Sequence, residues 1–142
     1  MNATVSFTKN AYDDLLSDCR LHNRVERVGL LIGQASHVSV ILPRANHWRG
    51  RMGDGFTMTR ADLKSGHDFA VAAGLVVLGR YHTHLHHPPL PSRLDRLSLP
   101  PGWMEVIARI DAPPDRRNVT EVRAYRNGSP CAITVREECI AS

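Results

Sequence analysis

Within fourteen residues the sequence gathers two imidazoles, two hydroxyls and a carboxylate: His82-Thr83-His84 and, seven residues later, Ser92-Arg93-Leu94-Asp95. Side chains on a strand repeat every two residues, so His82 and His84 face one side and can share one ion. Asp95 offers an oxygen ligand from the turn that follows. Two histidines and one carboxylate leave the fourth position of a zinc ion open for water, as catalytic zinc sites require. Zinc lowers the pKa of such a water to about 7 and polarises a carbonyl at the same time. Glu26 is the candidate general base and acid. Ser92 is a candidate donor to a developing oxyanion. One Zn2+ per chain is the expected cofactor.

Each piece has a plainer reading. Ser92-x-x-Asp95 has the spacing of a helix capping box. Histidines beside further histidines are also what a solvated strand edge looks like, and Glu26 beside Arg24 and Arg27 reads equally as surface charge. His86 is a rival ligand by spacing. What favours chemistry is that the pieces lie on elements expected to converge.

Those elements are legible in outline. Residues 4–7 alternate as a short first strand, and Thr8 or Asn10 can cap a helix whose apolar face is Tyr12, Leu15, Leu16 and Cys19, ending at His22-Asn23. Glu26 heads the apolar run Val28 to Gly33, a strand buried on both faces. A turn over Gly33 to Ser36 leads into a second strand, His37 to Leu42, which Pro43 is expected to end. Ala45 to Gly55 reads as an exposed loop and Phe56 to Met58 as a short strand. Thr59-x-x-Asp62 resembles a capping box that opens a helix through about Ala73, with Gly74 beyond its end. Leu75 to Tyr81 reads as a central strand delivering the histidines. The prolines of residues 86–91 exclude regular structure. Ser92 starts a short helical turn through about Leu97, and Trp103 to Ile110 is a strand. Thr120 to Tyr125 and Ala132 to Val135 pair across the turn dipeptide Asn127-Gly128. Helices mixed with mostly antiparallel strands predict an α+β fold in a single domain spanning residues 1–142.

Composition narrows the function classes. With 42% hydrophobic and 23% charged residues the chain is an ordinary globular one. No apolar run approaches the roughly 20 residues that cross a membrane. Residues 1–7 lack a basic region followed by an apolar core, so the expected location is the cytoplasm. Cys19, Cys131 and Cys139 are an odd number at no metal-like spacing and read as free thiols, although Cys131 and Cys139 could touch in a hairpin. The net charge is +4, and of 18 basic residues only Lys9 and Lys64 are lysine. The arginines are dispersed and form no run, which favours a solvated basic surface over a nucleic-acid site. Nothing in the pattern specifies a number of subunits.

The order Glu26, then Val28-Gly29-Leu30-Leu31-Ile32-Gly33, then His82-Thr83-His84-x7-Ser92-x-x-Asp95 resembles the JAMM (MPN-plus) zinc metalloproteases over about residues 4–137. Their signature is Glu … His-Ser/Thr-His-x7-Ser-x-x-Asp. The resemblance implies a cytidine-deaminase-like fold, a curved and mainly antiparallel sheet flanked by helices. It implies His82, His84 and Asp95 as zinc ligands, Glu26 as base and acid, and Ser92 as oxyanion support. It also implies hydrolysis of peptide or isopeptide bonds after the C-terminal glycine of a ubiquitin-like protein, whose precursor or conjugate is the expected partner. Two departures stand out. Leu85 replaces a proline frequent after the second histidine, and the chain has little room for the insertions with which larger members grip polyubiquitin. It looks like the small standalone prokaryotic members, some of which serve anti-phage modification systems. The rival reading is a catalytically weak subunit that uses the same fold to recruit a partner.

Overall fold

The computed structural model describes residues 3–21, 24–50, 55–111 and 118–137. Strand β1 (Thr4–Thr8) buries Val5 and Phe7 and passes directly into helix α1 (Lys9–Cys19). Thr8 is the cap, its hydroxyl accepting the Ala11 N–H at 3.1 Å. Ala11, Leu15 and Cys19 turn inward along the predicted stripe. The helix stops at Cys19, and the expected terminus at His22-Asn23 lies outside the described residues.

Strands β2 (Val28–Gln34) and β3 (His37–Arg44) form the expected antiparallel hairpin. Pro43 does not end β3, which continues to Arg44 with Pro43 opposite Gly29. Beyond Val38, β3 has no register partner on β1, so Pro43 sits on a stretch paired on one side, where a missing N–H is tolerated. Phe56 to Met58 is irregular and not a strand. Helix α2 (Arg60–Ala72) opens with the predicted capping box: the Thr59 hydroxyl accepts the Asp62 N–H, and the Asp62 carboxylate accepts the Thr59 N–H, each at 3.1 Å.

Strand β4 (Val76–Leu85) extends past the predicted end at Tyr81 and carries both histidines within it. Helix α3 (Arg93–Ser98) follows the proline loop, then come strands β5 (Met104–Asp111), β6 (Asn118–Arg126) and β7 (Ser129–Arg136). The last two meet at Asn127-Gly128, both at positive φ (52° and 78°), as a two-residue hairpin turn of this hand requires. Their pairing is confined to Ala124–Arg126 against Ser129–Cys131. The expected pairing of Ala132 to Val135 with β6 is replaced by a parallel ladder with β1.

That ladder closes the sheet in the order β1-β3-β2-β4-β5-β6-β7, with β7 returning to β1. Four pairings (β2–β3, β2–β4, β5–β6, β6–β7) are antiparallel, and three (β1–β3, β1–β7, β4–β5) are parallel. The fold is thus α+β and mainly antiparallel, its curvature carried to closure. The core joins α1 (Leu15, Cys19) to Phe7, Leu31, Tyr81, Met104 and Val106. Gly29 lies opposite Tyr81, and a methyl group on it would fall 2.4 Å from the ring, so this strand position must be bare.

Candidate metal centre

Strand β4 sorts its residues between two faces. Tyr81 and Thr83 point one way. The Tyr81 hydroxyl donates to Asp18 on α1 at 2.6 Å, and Asp18 also receives Arg27, at 2.7 Å from Nη2 and 3.2 Å from Nε. Burial, then the Asp18 carboxylate, raises the Tyr81 phenol well above its ordinary range. Thr83 is fully buried; its hydroxyl accepts the Arg27 N–H at 2.8 Å, and its own N–H donates to the Arg27 carbonyl at 3.0 Å. The residue between the histidines therefore stitches the segment next to Glu26 onto β4.

The other face carries Arg80, His82 and His84. The Nε2 atoms of His82 and His84 lie 3.2 Å apart, and Asp95 Oδ2 lies 3.3 Å from the first and 3.2 Å from the second. Three atoms each roughly 2.0–2.1 Å from a tetrahedral ion are separated by about 3.3–3.4 Å. The three side chains thus present one face of a tetrahedron at the size a first-row metal ion needs, and all three are buried. Asp95 reaches this point because Ser92 caps α3: the Ser92 hydroxyl accepts the Asp95 N–H at 3.0 Å, and Asp95 Oδ2 accepts the Ser92 N–H at 2.8 Å. The capping box is present, and the carboxylate oxygen that caps the helix also faces the histidines, where a ligand would have to lie.

The electrostatics follow from this crowding. Burial alone pulls the His82 imidazole down, but the carboxylates of Glu105 and Asp95 outweigh it and push it up to about 9. Burial pulls Asp95 the other way and is likewise overcome, by hydrogen bonds from His82 and His84 and the Ser92 amide, which hold it far below the usual carboxylate range. A metal ion bound here would have to displace the protons that these groups hold.

Glu26, 3% exposed, precedes β2 and lines a cavity of about 210 Å3 together with Trp48, His84, His87, Ser92 and Asp95. All five residues expected at the site therefore meet around one cavity or at its buried edge. The other histidines divide. His86 takes a positive φ and turns its ring towards Asp111, 3.6 Å away, so it is no rival ligand. His87 stacks on His84 with ring centres 4.2 Å apart and falls near Glu26.

Sequence reasoning passed over three residues. Asn46 uses its whole amide: it donates to the carbonyls of Glu26 (2.9 Å) and Gly55 (3.1 Å) and accepts from the amides of Trp48 (2.9 Å) and Thr57 (3.0 Å). Trp48, Gly55 and Thr57 are thereby tied to Glu26, the candidate base. Glu105 and Arg80 form a buried ion pair of 2.7 Å beneath His82, and Glu105 Oε1 lies 2.6 Å from His82 Nδ1. The available signal was a lone carboxylate inside the apolar run Trp103 to Ile110, since a buried charge demands a partner.

Comparison with known proteins identifies the fold and the family. A solution structure of a protein from Desulfitobacterium hafniense is 24% identical, with a TM-score of 0.74 over 96% of this chain and 95% of that one. The crystal structure of a JAB1/MPN domain protein from Archaeoglobus fulgidus is 18% identical, with a TM-score of 0.58 over 94% and 97%. A third solved structure, described as JAMM, a metalloprotease-like zinc site in the proteasome and signalosome, is 14% identical, with a TM-score of 0.56 over 95% and 100%. At these identities the likeness establishes the fold. No curated protein matches the sequence. The family model described as prokaryotic homologs of the JAB domain matches residues 8–127, so the chain belongs to that family.

Proposed function

We propose that this protein is a zinc-dependent peptidase that cleaves after the C-terminus of a ubiquitin-like protein, freeing it from a target or from its precursor. The observation that carries the proposal is the convergence of His82, His84 and Asp95 at tetrahedral spacing beside the buried Glu26. A metalloprotease-like zinc site is also what the description of one structural neighbour names. A zinc ion held by these three residues would supply Lewis acidity to a carbonyl and to a water molecule. Glu26 would take a proton from the attacking water and return it to the departing amine, so that the C–N bond breaks as a C–O bond forms and no net proton is consumed. The Ser92 oxygen is already an acceptor for the Asp95 N–H, which leaves its O–H to donate to the developing oxyanion. His84 is fixed by the Pro88 carbonyl, 2.7 Å from its Nδ1.

The cavity supports a slender substrate. About 210 Å3 is below the roughly 300–1,000 Å3 of drug-sized pockets, and Trp48, Phe56 and Leu94 wall it. Glycine residues at the end of a ubiquitin-like tail would fit such a cavity. The experiment uses zinc-loaded wild type, Glu26→Gln and Asp95→Ala on a ubiquitin-like precursor with a C-terminal extension and on a lysine conjugate of the same modifier. Glu26→Gln should keep zinc and lose about 10²–10⁴-fold in cleavage rate, and Asp95→Ala should lose both. Undiminished cleavage by Glu26→Gln would remove Glu26 from the mechanism. Capture of the modifier without turnover by the wild type would turn the reading to a binding subunit.

A further inference from the structure

We infer that Glu105 and Arg80 are positioning residues of the metal centre: Glu105 sets His82 as an Nε2 ligand, and Arg80 locks the Asp95-bearing helix to the same strand. The inference rests on the reading of His82, His84 and Asp95 as metal ligands. An imidazole can ligate through either nitrogen, and the partner of the other nitrogen decides which. His82 Nδ1 and Glu105 Oε1 are both buried and lie 2.6 Å apart as an ion pair, and neither makes a hydrogen bond to any described residue. A proton on Nδ1 faces that carboxylate and leaves Nε2 free, and Nε2 is the atom that points at His84 and Asp95.

Arg80 extends the arrangement. Its Nε donates to Glu105 Oε2 at 2.7 Å, and its Nη2 donates to the main-chain carbonyl of Asp95 at 2.8 Å. The side chains run from His82 through Glu105 and Arg80 back to Asp95, so one guanidinium bears on two of the three ligands. Only a guanidinium offers donors in two fixed directions, which is why lysine could not substitute. The register explains the meeting: Arg80 pairs with Glu105 across the parallel β4–β5 ladder, and His82 lies two residues further along the same face. Phe56 covers both, its ring 4.3 Å from the His82 ring and 4.8 Å from the Arg80 guanidinium. His84 makes do with a neutral carbonyl at its Nδ1. A carboxylate is the stronger acceptor, and His82, with 0% exposure, gets no help from water. A purely structural ion pair is a poor alternative, because buried pairs are commonly replaced by apolar residues of similar size without loss of stability.

The test replaces the pair as a unit, Arg80→Met with Glu105→Leu, since removing one partner strands a buried charge. The readouts are zinc affinity by chelator competition, the cobalt(II) absorption spectrum and the melting temperature of the metal-free protein. Zinc affinity should fall about 10–100-fold and the cobalt spectrum should change, with metal-free melting close to wild type. Glu105→Gln combined with Arg80→Met, which restores a neutral acceptor, should recover part of the affinity. Zinc affinity within about threefold of wild type in both double variants would overturn the inference. Should either variant fail to fold, nitrogen NMR of the zinc-loaded wild type decides alone. His82 with a slowly exchanging Nδ1 proton and a metallated Nε2 supports the assignment, and a metallated Nδ1 overturns it. Failure of the parent reading looks different: wild type itself would bind no zinc.

Discussion

Replacing Thr83 by Val keeps the shape of a fully buried side chain and removes only its hydroxyl. In the native fold that hydroxyl accepts the Arg27 N–H at 2.8 Å, while the Thr83 N–H holds the Arg27 carbonyl at 3.0 Å. Valine leaves the second bond intact and the Arg27 donor without a partner. A stranded buried donor costs about 1–3 kcal/mol, and since Arg27 is only partly buried the lower half applies, about 1–2 kcal/mol. In a domain of this size each kcal/mol moves the melting temperature by about 2–4 °C, so Thr83→Val should melt about 2–8 °C below wild type. His82 and His84 point to the opposite face, so zinc affinity should change by less than about threefold. Glu26, next to Arg27, loses one of its tethers, and a positional penalty of about 1.4 kcal/mol would slow cleavage about tenfold. Calorimetry of the metal-free protein, zinc competition and single-turnover cleavage separate the three effects, with Thr83→Ser as the control that restores the hydroxyl. Wild-type melting and turnover in Thr83→Val, or a large loss of zinc affinity, would show that the two faces of β4 do not divide the work as described.

Other consequences follow from the same contacts. Asn46→Ala removes four hydrogen bonds at about 0.5–1.5 kcal/mol each, so amide exchange at Trp48 and Thr57 should accelerate while zinc is retained; unchanged exchange would mean that another group holds the loop. Gly29→Ala drives a methyl into the Tyr81 ring and should cost about 1–3 kcal/mol in urea unfolding, a cost that Tyr81→Ala in the same chain should relieve. Alkali should also unfold the protein. Burial raises the Cys19 thiol and the Tyr81 phenol well above their ordinary values of 9.0 and 10.0, so the unfolded chain binds fewer protons than the fold at high pH. Their contribution is complete below about pH 9 and is lost as the pH rises beyond it, and melting temperatures should fall there. A flat profile up to pH 11, or alkylation of Cys19 in the folded protein, would count against this packing.

How far the sequence revealed the molecule depended on distance along the chain. The β2–β3 hairpin, the Thr59 capping box and the Asn127-Gly128 turn are local, and their residue types announce them. The candidate ligand cluster was legible for the same reason: strand periodicity puts His82 and His84 together, and Asp95 lies within one loop and one helical turn. Barrel closure was not legible, because the ladder between β1 and β7 joins residues near opposite ends of the chain and leaves no local trace. Pro43 misled through a rule that applies to strands paired on both sides. Phe56 was read as strand-forming hydrophobicity, yet it serves as a cover over His82, on a segment that Asn46 keeps irregular. Arg80 and Glu105 are charges in apolar runs that the sequence reading passed over, because their pairing waits on the parallel register of β4 and β5. Ser92-x-x-Asp95 offered two readings; the fold forms the capping box, and the same geometry leaves Asp95 facing the histidines.

The central claim is that His82, His84 and Asp95 hold one catalytic zinc ion. Titration of the metal-free protein with zinc, followed by chelator competition and elemental analysis, tests it most directly. About one equivalent should bind per chain, and His82→Ala, His84→Ala and Asp95→Ala should each abolish that binding while Glu26→Gln retains it. A wild-type protein that takes up no zinc, or three ligand variants that still bind a full equivalent, would contradict the account.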